Sequence, residues 1–134
     1  MTGEEFLKHL KNLGYEVQRA EAQYRSVFRS LTGTTADPSK EPVHSGGGGS
    51  RFDAIAIAAE KWDEAKAAFN EASKRFMELI DELPQKQKDD LTLRYIERFN
   101  PGKAARTLRI SREWERAIHI KARTAFNEVF EKRG

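Results

Sequence analysis

Four residues in the last third of the chain share a spacing suited to one kind of chemistry. Arg112, Arg116, His119 and Arg123 are separated by 4, 3 and 4 positions. On a helix turning about 100° per residue they fall within roughly 60° of one another. Guanidinium groups in such a row pair with phosphate oxygens and guanine edges, so the row points to double-stranded DNA. Glu113 lies beside the row, suited either to accept from a cytosine amine or simply to trim non-specific affinity. Lys103 and Arg106 precede it and suit backbone phosphates, and Arg109 at the turn is a further DNA-contact candidate. Ser111 stands where a hydroxyl would cap the helix carrying the row. The plainer reading of the same residues is a solvated face that is basic by composition.

The charge distribution agrees with a polyanion at one end. From residue 84 onward 13 Lys/Arg oppose 7 Asp/Glu, whereas the first 83 residues hold 11 against 14. Other chemistries are harder to assemble. His9, His44 and His119 fall in three separate segments, with no metal-ligand spacing and no nucleophile paired with a base. There is no cysteine, which removes disulfides and thiolate sites and fits a reducing compartment. The expectation is a protein that is not an enzyme and uses no metal or cofactor. No apolar run approaches the roughly 18 residues of a membrane helix, and "MTGEEFLKHL" lacks secretory-signal anatomy. The chain is therefore expected in the cytoplasm of its cell, away from membranes.

The elements that must hold the basic row are helices throughout. Phe6, Leu10, Leu13, Val17, Ala20, Tyr24, Val27 and Leu31 follow a 4, 3 alternation, the seam of a helix packed on a second helix. Thr2 with Glu5 reads as the capping box that starts it. Gly14 is a weak point inside, costing about 1 kcal/mol relative to alanine. Ile55, Ala58, Trp62, Ala65, Phe69, Ala72, Phe76, Leu79 and Leu83 form a second seam of the same period, with Ser50 and Asp53 as its cap pair. Two such seams predict a long antiparallel helical hairpin over 1–83, with arms on the order of 40 Å. Between them, residues 33–50 carry two prolines and a four-glycine run, a mobile connector whose "GGGGS" also matches a common laboratory linker. That run lacks the Gly-Lys-Ser/Thr ending of a phosphate loop.

The remaining residues, 84–134, read as a three-helix unit. Pro84 is expected at a first helical position, and Leu91, Tyr95, Ile96 and Phe99 share an apolar face. Asn100 caps the next helix with Pro101 in its first position, and Ser111 caps the last. The pair around Arg109 meets most demands of a helix-turn-helix. Ala105 is the small residue at the crossing, Leu108 and Ile110 flank the turn, and Ile118 is a buried anchor. Two positions depart from it. Arg109 must accept a left-handed backbone where glycine is usual, and Glu115 falls where an aliphatic is buried. The expectation is that Trp114 packs in its place, heading a stripe with Ile118, Ala122, Ala125 and Val129.

At "LTLRYIERFNPGKAARTLRIS" the chain resembles region 4 of bacterial sigma factors and of sigma-like phage regulators. Leu93 to Ile96, Ala105 and Leu108 to Ser111 carry the likeness, with His119 and Ala122 matching a later spacing of phage members. The layout of hairpin, Gly/Ser-rich loop and C-terminal motif resembles the RinA/ArpU-type late transcription regulators of phages. The sharp motif covers about the last 45 residues. The resemblance implies an all-α, phage-encoded DNA-binding regulator in a bacterial cytoplasm, while Arg109 and Glu115 depart from the family's pattern. The hairpin would then serve a homodimer or a partner such as host RNA polymerase. The alternatives are a protein-binding module that has lost DNA reading and a small-terminase-like packaging subunit.

Overall fold

The computed structural model describes residues 1–32 and 48–133. Most of the expected connector, residues 33–47 with His44, lies outside the described residues. Among the described residues the chain is all-helical. Helix α1 is Gly3–Thr32, α2 is Gly48–Ile80 and α3 is Gln85–Leu91, prolonged by a π-helical turn, Thr92–Ile96. Helices α4 (Pro101–Leu108) and α5 (Arg112–Arg133) complete it.

The helix starts follow local chemistry. Thr2 N–H donates to Glu5 Oε1 and Glu5 N–H to Thr2 Oγ1, both at 3.1 Å, which is the expected capping box. Helix α2 begins at Gly48, two residues ahead of the expected Ser50 cap, so Ser50 lies inside the helix. Pro84 stands just before α3 rather than inside it. Its φ of −58° suits a helix, but its ψ of 150° is extended, and its carbonyl accepts the first helical bond from Lys88.

Helices α1 and α2 form the antiparallel hairpin that the two seams predict. Every seam residue is buried or half-buried, and Leu7 and Phe28 join α1's buried set. Packing divides the described chain into two compact units, Tyr15–Phe69 and the combination of Met1–Gly14 with Asn70–Gly134. In the first, the Tyr24 ring meets Trp62 at 5.5 Å and Phe28 at 6.1 Å, and the Lys66 ammonium lies 4.3 Å from the Trp62 ring centre.

The second unit gathers both ends of the hairpin with α3, α4 and α5. Its core centres on Phe126, whose ring lies 6.0 Å from Phe6, 5.9 Å from Phe76 and 6.2 Å from Phe130. Leu7, Leu10, Leu79, Ile80, Leu91, Ala122 and Val129 are among the other buried residues of this unit. Burying each large apolar side chain contributes about 1.5–3 kcal/mol. Two glycines let α1 approach this closely. A Cβ on Gly3 would lie 2.8 Å from the Asn127 Cα, and Gly3 N–H instead donates to Asn127 Oδ1 at 2.9 Å. The Arg98 guanidinium occupies the space a Cβ on Gly14 would need. The weak point inside α1 therefore accommodates a side chain from beyond the π-helical turn.

Candidate nucleic-acid interface

The α4–turn–α5 corner is built from caps at each joint. Asn100 Oδ1 accepts from Lys103 N–H at 2.8 Å and Pro101 takes the first turn, so α4 starts sharply. It stops at Arg109, which adopts φ 59° and ψ 45°, the left-handed conformation required by the turn. Arg109 N–H donates to Arg106 O and Ile110 N–H to Ala105 O, closing the helix end. Ser111 Oγ then accepts from Trp114 N–H at 3.1 Å and starts α5. Ala104 and Ala105 are buried at 0% and 2% exposure, the small surface that a close helix crossing needs. Ile118 is buried, and Leu108 and Ile110 are half-buried around the turn.

Seven of the nine residues singled out for DNA contact are exposed at this corner: Lys103, Arg106, Arg109, Ser111, Arg112, Glu113 and Arg116. Lys103 leans over the Phe99 ring at 4.1 Å. The other two are placed differently. His119 is buried and its Nδ1–H donates to Asp90 Oδ2 at 2.7 Å. Arg123 is half-buried in an ion pair with Glu4 of α1. The basic row therefore reduces to Arg112 and Arg116 on the first turns of α5.

The rotation has a physical cause. The buried face of α5 is Glu115, Ile118, His119, Ala122, Phe126, Val129 and Phe130. Phe126 and Phe130 turn it by about 60° from the stripe headed by Trp114. Trp114 does not pack inward as expected; it is 49% exposed, with the Lys86 ammonium 4.0 Å from its ring centre. The outward centre becomes Glu113, Ala117, Ile120 and Thr124, all exposed. Sequence reasoning missed the last three. The two phenylalanines, the largest apolar residues on the helix after Trp114, were the available signal.

Glu115 fills the inward position instead, and it is not alone. Arg94 Nη1 donates to Glu115 Oε2 at 2.9 Å, with side-chain exposures of 18% and 1%. Arg94 comes from the π-helical turn, where Glu97 N–H bonds to Thr92 O five residues back. Tyr95 from the same turn places its hydroxyl 3.5 Å from His119 Nε2 and stacks on the imidazole.

Burial, aided by a hydrogen bond to Asp90 and by its charge, pushes the Glu115 carboxyl up to about 7 despite Arg94. Asp90 moves the other way. Burial acts to raise it, but hydrogen bonds from His119 and Glu115 and the charges of His119 and Arg94 hold it below the ordinary range. Of the two carboxyls, Glu115 is thus the one that takes up a proton first, as pH falls through about 7.

Asp90, Glu115 and His119 bring one potential ligand atom each within 4.8 Å of one another. This grouping was invisible to spacing, since Asp90 arrives from α3. The set matches what a divalent cation accepts. His119 already bonds Asp90, and Arg94 already neutralises Glu115. These contacts already occupy the ligand atoms that a cation would need.

Beside the cluster opens a cavity of about 460 Å³ lined by Arg94, Pro101, Arg112, Glu113, Glu115, Arg116 and His119. Three arginines stand against Glu113 and Glu115 in this lining, so it is net positive and favours anions over cations. No family model, no curated protein and no solved structure matches the chain.

Proposed function

We propose that the chain binds double-stranded DNA and presents the first turns of α5 to a groove, as a sigma-region-4-like regulator of the phage type would. The observation that carries the reading is the α4–α5 corner. A left-handed turn at Arg109 joins two capped helices, and Arg106, Arg109, Arg112 and Arg116 stand exposed around it. Glu113, Ala117 and Ile120 face outward, chemistry suited to a cytosine amine and thymine methyls. Arg106 and Lys103, on the helix that would cross the strand, suit phosphates.

Fragment selection from genomic DNA with the purified chain, followed by affinity measurements across salt, tests this. Arg112→Ala and Arg116→Ala should each weaken the selected site by about 1–3 kcal/mol if they read bases. If they touch only phosphates, all sequences lose affinity alike and the salt slope falls by about 1 per arginine. Unchanged affinity in the folded double variant would remove α5 as the reading element. The hairpin fits the role of a dimer or partner arm, since Ile57 on α2 is 53% exposed. Sedimentation across a range of concentrations reads that role, and a monomer throughout would leave partner contact alone.

A further inference from the structure

We propose that the cavity beside the first turn of α5 seats one backbone phosphate between Arg94, Arg112 and Arg116. Seating it moves Arg94 from Glu115 to the phosphate, while Glu115 takes up a proton from solvent. The inference rests on the DNA-binding reading for the source of the phosphate. The cavity supplies the geometry, because three guanidinium-bearing side chains from the π-helical turn and from α5 line one space of about 460 Å³. Planar forks of this kind are the preferred partners of phosphate oxygens.

Two of those arginines are free to turn toward an anion, being exposed. Arg94 is committed to Glu115 at 2.9 Å, and Glu115 is 1% exposed. A phosphate entering the cavity would compete with a buried carboxylate for one cation. Arg112 and Arg116 remain with the phosphate, but the buried carboxylate loses its one guanidinium partner and faces a second anion, and protonating it relieves the repulsion.

The surroundings of Glu115 favour that outcome. Helix α3 contributes Asp90, the π-helical turn Arg94 and Tyr95, and α5 Arg112, Glu113, Arg116 and His119. Helix α4 adds only Pro101 to the lining. His119 is turned to Asp90, which keeps Asp90 an acceptor. Asp90 Oδ1 is buried with no other donor, so it can take the hydrogen of a protonated Glu115. With the Glu115 carboxyl up at about 7, the proton is taken within the working range of pH.

Binding that raises proton affinity grows stronger as pH falls. Affinity should decline by up to about tenfold per unit above roughly pH 7 and level off below it. Anisotropy of the full-length protein with a labelled mixed-sequence duplex, at fixed ionic strength between about pH 6 and 8.5, measures this. The wild type should show that slope. Glu115→Gln, which mimics the protonated acid, should stay flat near the wild type's low-pH affinity. A flat wild type, or a Gln variant that parallels a sloping one, overturns the proposal.

Carbon-13 NMR of the Glu115 carboxyl in the wild type covers a variant that fails to fold. Its titration midpoint must rise when duplex is added, and an unmoved midpoint overturns the idea. Thermal stabilisation by inorganic phosphate separates the two readings. A pH-dependent gain with phosphate but no duplex binding at any pH sinks the DNA reading and leaves a seat for free phosphate. Duplex binding without pH dependence sinks the seat alone, and failure with both ligands sinks both.

Discussion

Glu115 shows how one residue can contradict a pattern and still fit the molecule. A carboxylate at an inward helical position is costly when alone. Arg94 and Asp90 make it tolerable, and both arrive from more than twenty residues away, beyond the reach of helical spacing. The pairing predicts a pH signature in stability. Its carboxyl is held up at about 7 in the fold against an ordinary 4.5. The contribution is therefore complete below about pH 4.5 and is lost as pH rises through 7. Urea unfolding at several pH values should show Glu115→Gln gaining on the wild type from pH 5 to pH 8. A constant difference between the two would mean that Glu115 keeps one charge state throughout. His119 was misplaced in the basic row for the same reason, since its partner Asp90 belongs to another helix.

Among the elements, caps and seams were legible because their signals are local. Thr2 with Glu5, Asn100 with Pro101, and Ser111 each act within four residues. The face of α5 was less legible, because which stripe turns inward depends on what α1 and α2 offer to Phe126. The left-handed turn at Arg109 was legible from its place between two helix signals, whereas the positive φ of 58° at Arg98 was not. A side chain in that region costs roughly 1–2 kcal/mol, and glycine avoids most of it. Arg109→Gly should therefore stabilise the fold by about 0.5–1 kcal/mol, after the extra unfolded-state entropy of glycine is counted. Chemical denaturation reads this directly. A loss of stability would show that the Arg109 side chain makes contacts worth more than its backbone strain.

Across the whole molecule, composition and period predicted an all-helical chain with a hairpin, and the described residues form one. Period could not tell that Met1–Gly14 would join Asn70–Gly134 in one compact unit. A seam shows that a helix is covered, without naming every helix that covers it. Gly3 is the clearest marker of this assembly, with Asn127 backbone where its side chain would be. Gly3→Ala should cost about 1–3 kcal/mol through overpacking, although alanine is the better helix former. Thermal unfolding of the two forms compares them, and an alanine form as stable as the wild type would mean that α5 shifts aside freely.

The hydrogen bond from Gly3 to Asn127 spans 124 positions, and it has a consequence during synthesis. Phe6, Leu7 and Leu10 are made early, yet the surface they bury against is completed only when α5 leaves the ribosome. At about 5–20 residues per second, that delay is on the order of 6–25 s. Throughout it, the part of nascent α1 that Phe126 and Phe130 will cover, around Phe6, stays available to chaperones and to neighbouring chains on the same message.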